Sequence, residues 1–192
     1  ACGDQAEGEG GVSELARLRA RLSDIQRERD HLIAAVDILQ EISASLHFVD
    51  IVQIISRKLG DTFGLDRCAI FLTGEQGEVR LVASYEDPSI RNLVVDVNRY
   101  PELRRVFQTG ETVFIPDAIN DPMMKPVRSQ LELRGVRSIV VTPLEWQGSI
   151  IGAIFLRTGR HSPPFTDADV RFCQVVSSLT SKALRNAHRF ES

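Results

Sequence analysis

Apolar residues recur along the first quarter of the chain at Leu15, Leu18, Leu22 and Ile25, then after a gap at Leu32, Val36, Leu39 and Leu46. The spacing alternates three and four. It places Leu15, Leu22 and Val36 at heptad position a, with Arg29 at a in the gap, and Leu18, Ile25, Leu32 and Leu39 at d. A seam of more than four heptads predicts one helix over 13–46, with Ser13 as its N-cap. At a rise of about 1.5 Å per residue it is about 50 Å long, too long to fold back over a domain of this size. Such a helix asks for a partner helix. A charged residue at a single a position costs stability but excludes other registers, so Arg29 fits a parallel two-stranded coiled coil, with Glu14 at g facing Arg19 at e. The alternative is an amphipathic helix packed on its own domain. The arginines at 17, 19, 21, 27 and 29 are interleaved with Glu14, Asp24, Glu28 and Asp30, which reads as a solvated helix face rather than a nucleic-acid surface. Ahead of the seam, the Gly-rich acidic stretch 1–12 has too little apolar surface to order itself.

The next segment, "FVDIVQIISRKLGDTFGLDR", repeats a helical period through Ile51, Ile54, Ile55 and Leu59, and stops near Gly60 or Gly64. The period then changes to two. "CAIFLT" (68–73) and "EVRLVAS" (78–84) flank the hairpin signal "GEQG", and "LVVDV" (93–97) is a third strand. Asn98 is positioned to cap a helix over "RYPELRRVF", with Pro101 in its first turn and Gly110 ending it. "TVFIP" is a short strand, and Pro126 opens a short helix that stops at Gly135. "SIVVTPLEWQGSIIGAIFLRT" (138–158) predicts two strands joined at Gln147-Gly148; the second is apolar on both faces and is therefore covered on both. Gly152 inside it implies close approach of another backbone or of a ligand. A closing helix follows Thr166 or Asp167, with Val170, Cys173, Val176, Leu179, Ala183 and Leu184 along its buried stripe. Strands joined by hairpins, with helices before, between and after, make an α+β domain on a central antiparallel sheet.

Composition narrows the function. With 43% apolar and 26% charged residues in 192, this is one ordinary domain with an appendage. A net charge of −3 gives no electrostatic case for nucleic acid. No apolar run has the length of a membrane span. The chain opens without Met, as an excised piece of a longer protein would. Cys2, Cys68 and Cys173 form no CxxC pair, which favours a reducing, cytoplasmic compartment with Cys68 and Cys173 as core thiols.

"LDRCAIFLT", "GEVRLVAS", "RYPELRRVFQTGETVFIPDAINDP", "GVRSIVVTPLEWQGSIIGAIFLR" and "FTDADVRFCQVVSSLTSKALRNA", in that order, resemble the GAF domain, a small-molecule sensing module, over about residues 48–185. The middle string is most similar to GAF domains of bacterial two-component and cyclic-dinucleotide signalling proteins. The resemblance implies helices on one sheet face and a pocket on the other. By position it implies pocket walls at Phe71, Tyr100, Phe107, Asp117, Met123, Met124 and Arg128, with Asp117 and Arg128 as polar anchors. Read from the residues alone, Phe71 and Phe107 serve equally as core, and Asp117 as the brace of its own loop through an Asx turn.

Particular chemistries of that family need residues this chain does not present. The Asn-Lys…Phe…Asp-Glu set of cyclic-nucleotide binders is absent. Neither Cys68 nor Cys173 is followed by His, as a bilin attachment site commonly is. His31, His47, His161 and His188 are not placed to ligate haem in the pocket, and no four-ligand zinc spacing occurs. A free methionine sulfoxide reductase needs a reactive cysteine with a resolving partner, and Cys68 and Cys173 do not match that arrangement. The expectation is a non-catalytic sensory module without metal or cofactor. It is dimerised through 13–46, binds an unknown small molecule in domain 47–192, and acts on a linked output domain. The competing expectation is a GAF domain whose pocket is plugged, Met123 and Met124 filling it, and which serves as a docking scaffold.

Overall fold

The computed structural model describes the backbone of residues 6–44 and 48–191, and the side chains of 10–39 and 50–185. The elements in chain order are α1 (Ala6–Ala44), α2 (Phe48–Phe63), β1 (Arg67–Thr73), β2 (Val79–Ser84), β3 (Leu93–Val95), α3 (Pro101–Thr109), β4 (Val113–Ile115), α4 (Arg128–Arg134), β5 (Val136–Trp146), β6 (Ser149–Gly159) and α5 (Asp167–Glu191). The chain divides into two compact units, Ala1–Asp37 and Ile38–Ser192.

The first unit is helical over its described length. Its helix begins at Ala6, so the expectation of an unordered 1–12 is corrected over Ala6–Val12, and Ser13 lies inside the helix rather than capping it. Residues 1–5, Cys2 among them, and 45–47, with Leu46 and His47, lie outside the described residues. The predicted seam is exposed: Leu15, Leu18, Leu22, Ile25, Leu32 and Val36 each keep about half or more of their surface in solvent, and Leu39 slightly less. Glu14 pairs with Arg17 of its own helix at 3.6 Å.

In the second unit the switch from helical to alternating period at residue 66 starts a six-stranded sheet of order β3-β2-β1-β6-β5-β4, antiparallel at every pairing. The predicted hairpins form where the turn residues put them. Gln147 at φ 52° and Gly148 at φ 78° make a type I′ turn, whose twist suits antiparallel strands. Gly74 N donates to Glu78 O at 2.7 Å and closes the β1–β2 turn. Both edge strands are three residues long, which limits the unpaired backbone they offer.

One sheet face carries Cys68, Ile70, Ile154, Leu156, Val140 and Leu144 against α2 and α5. Ile51, Val52, Ile55 and Leu59 of α2 and Phe172, Cys173, Val176 and Leu184 of α5 complete this layer. Thr166 Oγ1 accepts from Asp169 N, and Asp169 Oδ2 accepts from Thr166 N, a capping box that starts α5. Part of the seam between α5 and β5 is polar. Thr142 and Ser177 hydroxyls hydrogen bond, Glu145 N donates to Ser181 Oγ at 3.2 Å, and Ser181 Oγ donates to Ser177 O at 2.9 Å.

Two cap assignments are corrected. Asp96, not Asn98, caps the turn before α3: its carboxylate accepts from Asn98 N and opens a 3-10 helix, Val97–Arg99. Pro126 does not open a helix but lies inside a 3-10 segment, Pro122–Val127, that starts four residues earlier because Asp121 Oδ1 accepts from Met123 N. The residues at the ends of α3 and α4 are as predicted, Gly110 and Gly135 both in the left-handed region.

Gly152 does meet another backbone. A Cβ there would stand 2.2 Å from Phe71 O, in the neighbouring strand. Because carbonyl and strand are both fixed by the ladder, Gly152→Ala should destabilise the domain by roughly 2–3 kcal/mol. Equilibrium urea unfolding checks this as a lower midpoint at unchanged m-value.

Candidate functional site

Strand parity decides what faces the second side of the sheet. Arg67, Ala69 and Phe71 of β1 share that face, as do Ala153, Phe155 and Arg157 of β6. The register sets Arg67 opposite Arg157, Ala69 opposite Phe155 and Phe71 opposite Ala153. Leu81, Val113, Ile139 and Val141 continue the floor, and Leu103, Val106, Met124 and Leu131 descend onto it from α3, the 3-10 segment and α4. Most of this space is filled by apolar core.

One corner is not. Two arginines directly opposed on paired strands repel unless neutralised. Arg67 Nε lies 2.8 Å from Glu86 Oε1, an ion pair by distance without the alignment of a hydrogen bond. Arg157 Nη2 donates to Asp66 Oδ2 at 3.3 Å, while its own Nε is buried without a hydrogen-bond partner. The Arg67 guanidinium also lies over two rings, 5.9 Å from the Tyr100 centroid and 5.8 Å from that of Phe155. Phe71, Tyr100 and Phe155 contact one another with centroids 5.9 to 6.4 Å apart, within the range of favourable ring pairs.

Beside this cluster is a cavity of about 40 Å³. Arg67, Arg157, Tyr100, Phe155 and Glu102 line it, Met124, Val127, Leu131 and Ile139 supply apolar wall, and Arg99, Gln130 and Arg134 surround them. Glu102 stands in the first turn of α3, on the side that Leu103 and Val106 turn to the sheet, and is only 3% exposed. Its Oε2 is buried with no hydrogen-bond partner. Burial pushes its carboxyl up to about 7, against the opposing pull of its own backbone N–H and of Arg67 and Arg157. A larger cavity of about 350 Å³ lies on the other sheet face, between α5 and β5. Its walls are Thr112, Thr142, Pro143, Glu145, Gln174, serines 177, 178 and 181, Lys182 and Arg185. Arg185 Nε is buried there without a hydrogen-bond partner, but the acid in that wall, Glu145, is exposed; the smaller cavity is the one that sets a buried, unpartnered carboxyl oxygen beside buried guanidinium nitrogens.

The expected pocket residues divide. Tyr100 and Met124 line the cavity, and Phe71 is fully buried in the aromatic cluster beneath it. Phe107 and Met123 are half-buried against the same core. Asp117 is exposed and accepts from Asn120 Nδ2 at 2.7 Å, so it braces its own loop. Arg128 is half-buried with its Nε enclosed and without a hydrogen-bond partner, and is not part of the cavity wall. Arg67, Glu102 and Arg157 were not anticipated, although Arg67 shares strand parity with Phe71, and Arg157 with Phe155. Cys68 and Cys173 lie on the opposite layer, fully buried; burial drives the Cys68 thiol far up and the Cys173 thiol up to about 12. Among the described residues no group of three or more His, Cys, Asp or Glu side chains is placed to hold a metal ion.

The family model for the GAF domain matches residues 47–184. The chain belongs to the GAF family. Solved structures agree on the GAF fold. One is the GAF domain of an Acinetobacter phosphoenolpyruvate-protein phosphotransferase, at 21% identity and TM-score 0.67, covering 82% of this chain and 94% of that one. Another is a GAF domain/HD domain protein from Geobacter sulfurreducens, at 18% identity and TM-score 0.61, covering 76% and 97%. A third is the free methionine-R-sulfoxide reductase of Neisseria meningitidis in complex with its substrate, at 18% identity and TM-score 0.66, covering 80% and 87%. No curated protein matches the chain.

In this GAF domain the folded state binds the Glu102 proton more tightly than the unfolded chain, whose carboxyl keeps its ordinary 4.5. The resulting stability is complete below that value and is lost as pH rises through about 7. Glu102→Gln should therefore flatten the profile and, at pH 8, exceed the parent by roughly 1–3 kcal/mol. Urea denaturation at pH 5 and pH 8 reads the difference.

Proposed function

We propose that this GAF domain is a non-catalytic sensory module of a signalling protein. It takes a small molecule into the cavity under α3 and α4 and passes the change to an attached output domain through its terminal helices. The observation that carries the reading is the combination of Glu102 and Arg157. Both place buried, unpartnered polar atoms at one small cavity, in a face otherwise packed with apolar side chains. Buried charge of this kind is costly for stability and recurs at sites that bind. The mechanism is a shift of population, in which the ligand stabilises one packing of α3 and α4 on the sheet over another.

The chain acts as a homodimer. A heptad seam of six half-exposed apolar residues on α1 is what a parallel two-stranded coiled coil covers, and Arg29 within it selects the register. Among the described residues no helix is long and apolar enough to cross a membrane.

A second reading is favoured by the filling of the same face. Phe71, Leu103, Ile139 and Met124 are all at or below 1% exposure, and little space remains. On that reading the domain is a dimerisation scaffold with a plugged pocket. Reductase chemistry has the least support, since a thiol pushed to about 12 or beyond provides almost no thiolate at neutral pH.

Native mass spectrometry of the freshly purified 192-residue chain tests the reading. Ions at twice the chain mass with a small-molecule increment are expected. Bare dimer both as purified and after incubation with a metabolite library favours the scaffold, and bare monomer removes the dimeric sensor altogether. Leu22→Glu with Ile25→Glu should convert the dimer to monomer by sedimentation velocity, while the far-ultraviolet signal of the GAF domain persists.

A further inference from the structure

The charges around the cavity are unequal, and the inequality has a direction. Arg67 comes from β1, Arg157 from β6, Arg99 from the 3-10 helix before α3, and Arg134 from α4. Against these four cations the cavity wall contains one acid, Glu102, with Tyr100 and Gln130 as the remaining polar side chains. Glu86 and Asp66 compensate Arg67 and Arg157 from behind, each itself partly in solvent. Arg157 keeps a buried Nε that no protein group accepts from, and Arg67 Nε, although 2.8 Å from Glu86 Oε1, has no aligned acceptor either. Glu102 Oε2 is likewise unsatisfied and more than nine-tenths buried. A buried donor and a buried carboxyl oxygen at one cavity are complementary to a single small guest, and leaving both unpaired is unfavourable.

We propose that the cavity is a site for a small planar monoanion, a short carboxylate or an inorganic oxyanion of similar size, received by Arg157 and Arg67 with Glu102 as the third contact. This names the ligand class of the sensory reading above and rests on it. The guest's oxygens accept from the guanidinium groups, for which forked donors suit a planar anion. An ionised Glu102 would repel it. Binding therefore takes one proton from solvent onto Glu102 Oε2, and that O–H donates to the anion. The burial that keeps this carboxyl protonated near neutrality makes the uptake inexpensive. No other acid lines the cavity, and the charged groups facing Glu102 from β1, β6, α4 and the 3-10 helix before α3 are arginines, with Tyr100 and Gln130 beside them, so the coupled carboxyl is Glu102. A volume of about 40 Å³ limits the guest to a few heavy atoms.

Isothermal titration of the full chain with formate, acetate and nitrate separately, at pH 6 and pH 8, is the test. Sodium sulfate serves as the dianion control. The expected result is saturable binding of at least one monoanion at pH 6, about tenfold weaker for each pH unit above 7, as one coupled proton requires. Which probe saturates separates a carboxylate source from an inorganic one. Glu102→Gln should bind equally at both pH values, and Arg157→Gln should lose at least tenfold in affinity. If Arg157→Gln does not unfold cooperatively, Arg157→Lys replaces it, and it should still lose affinity because the fork is gone. No saturable binding of any monoanion at pH 6, or binding indifferent to both pH and Arg157, overturns the proposal. If native mass spectrometry then finds a neutral or cationic adduct that Arg157→Gln removes, the sensory reading stands and only the anion class falls. If it finds none, both fall.

Discussion

The pairing of β1 with β6 is the constraint from which the rest of the domain follows. It places these two strands at the centre of the sheet, and it is close enough at Gly152 that no side chain fits between that residue and the Phe71 carbonyl. The same register brings Phe71, Ala69 and Arg67 level with Ala153, Phe155 and Arg157. Hydrophobic floor and paired cations are thus set by one ladder. A slip of one residue would turn every one of these side chains to the α2–α5 layer.

That ladder also explains how the domain tolerates two opposed arginines. The planar head of Arg67 covers aromatic surface, over Tyr100 and Phe155, so part of that side chain substitutes for apolar packing. The acids that neutralise them, Glu86 and Asp66, sit at the rim, where desolvation is lighter. Glu102 is the exception. It is held inside by its place between Pro101 and Leu103 on a short helix whose inward face must cover the sheet.

Much of this was legible in the chain. Gln147-Gly148 and Gly152 announced a turn and a close approach because both depend on local backbone geometry, which a sequence states directly. The apolar half of the candidate site, Phe71, Tyr100 and Met124, was legible through the family resemblance. The charged half was not. Arg67 and Arg157 stand at strand ends, where an arginine ordinarily reaches solvent, and only the pairing of strands 90 residues apart reveals that they face each other. Glu102 in the first turn of a helix reads as a residue favoured there by the helix dipole, and its burial is a property of how α3 lies on the sheet. The Asp96 and Asp121 caps were missed for a simpler reason: each lies two residues before the amide it accepts, in a 3-10 turn rather than an α-helix.

The polar seam between α5 and β5 has a mechanical consequence. Apolar surfaces slide over one another at little cost, because one methyl contact replaces another. Here Thr142, Ser177, Ser181 and the amide of Glu145 are joined at fixed positions in a buried layer. A partial displacement of α5 would break the two bonds that cross the seam, Thr142 to Ser177 and Glu145 N to Ser181, at about 1–3 kcal/mol per group left unpaired. The closing helix is therefore indexed to the sheet like a pawl to a ratchet: it keeps its register against small loads and yields, when it yields, in a discrete step.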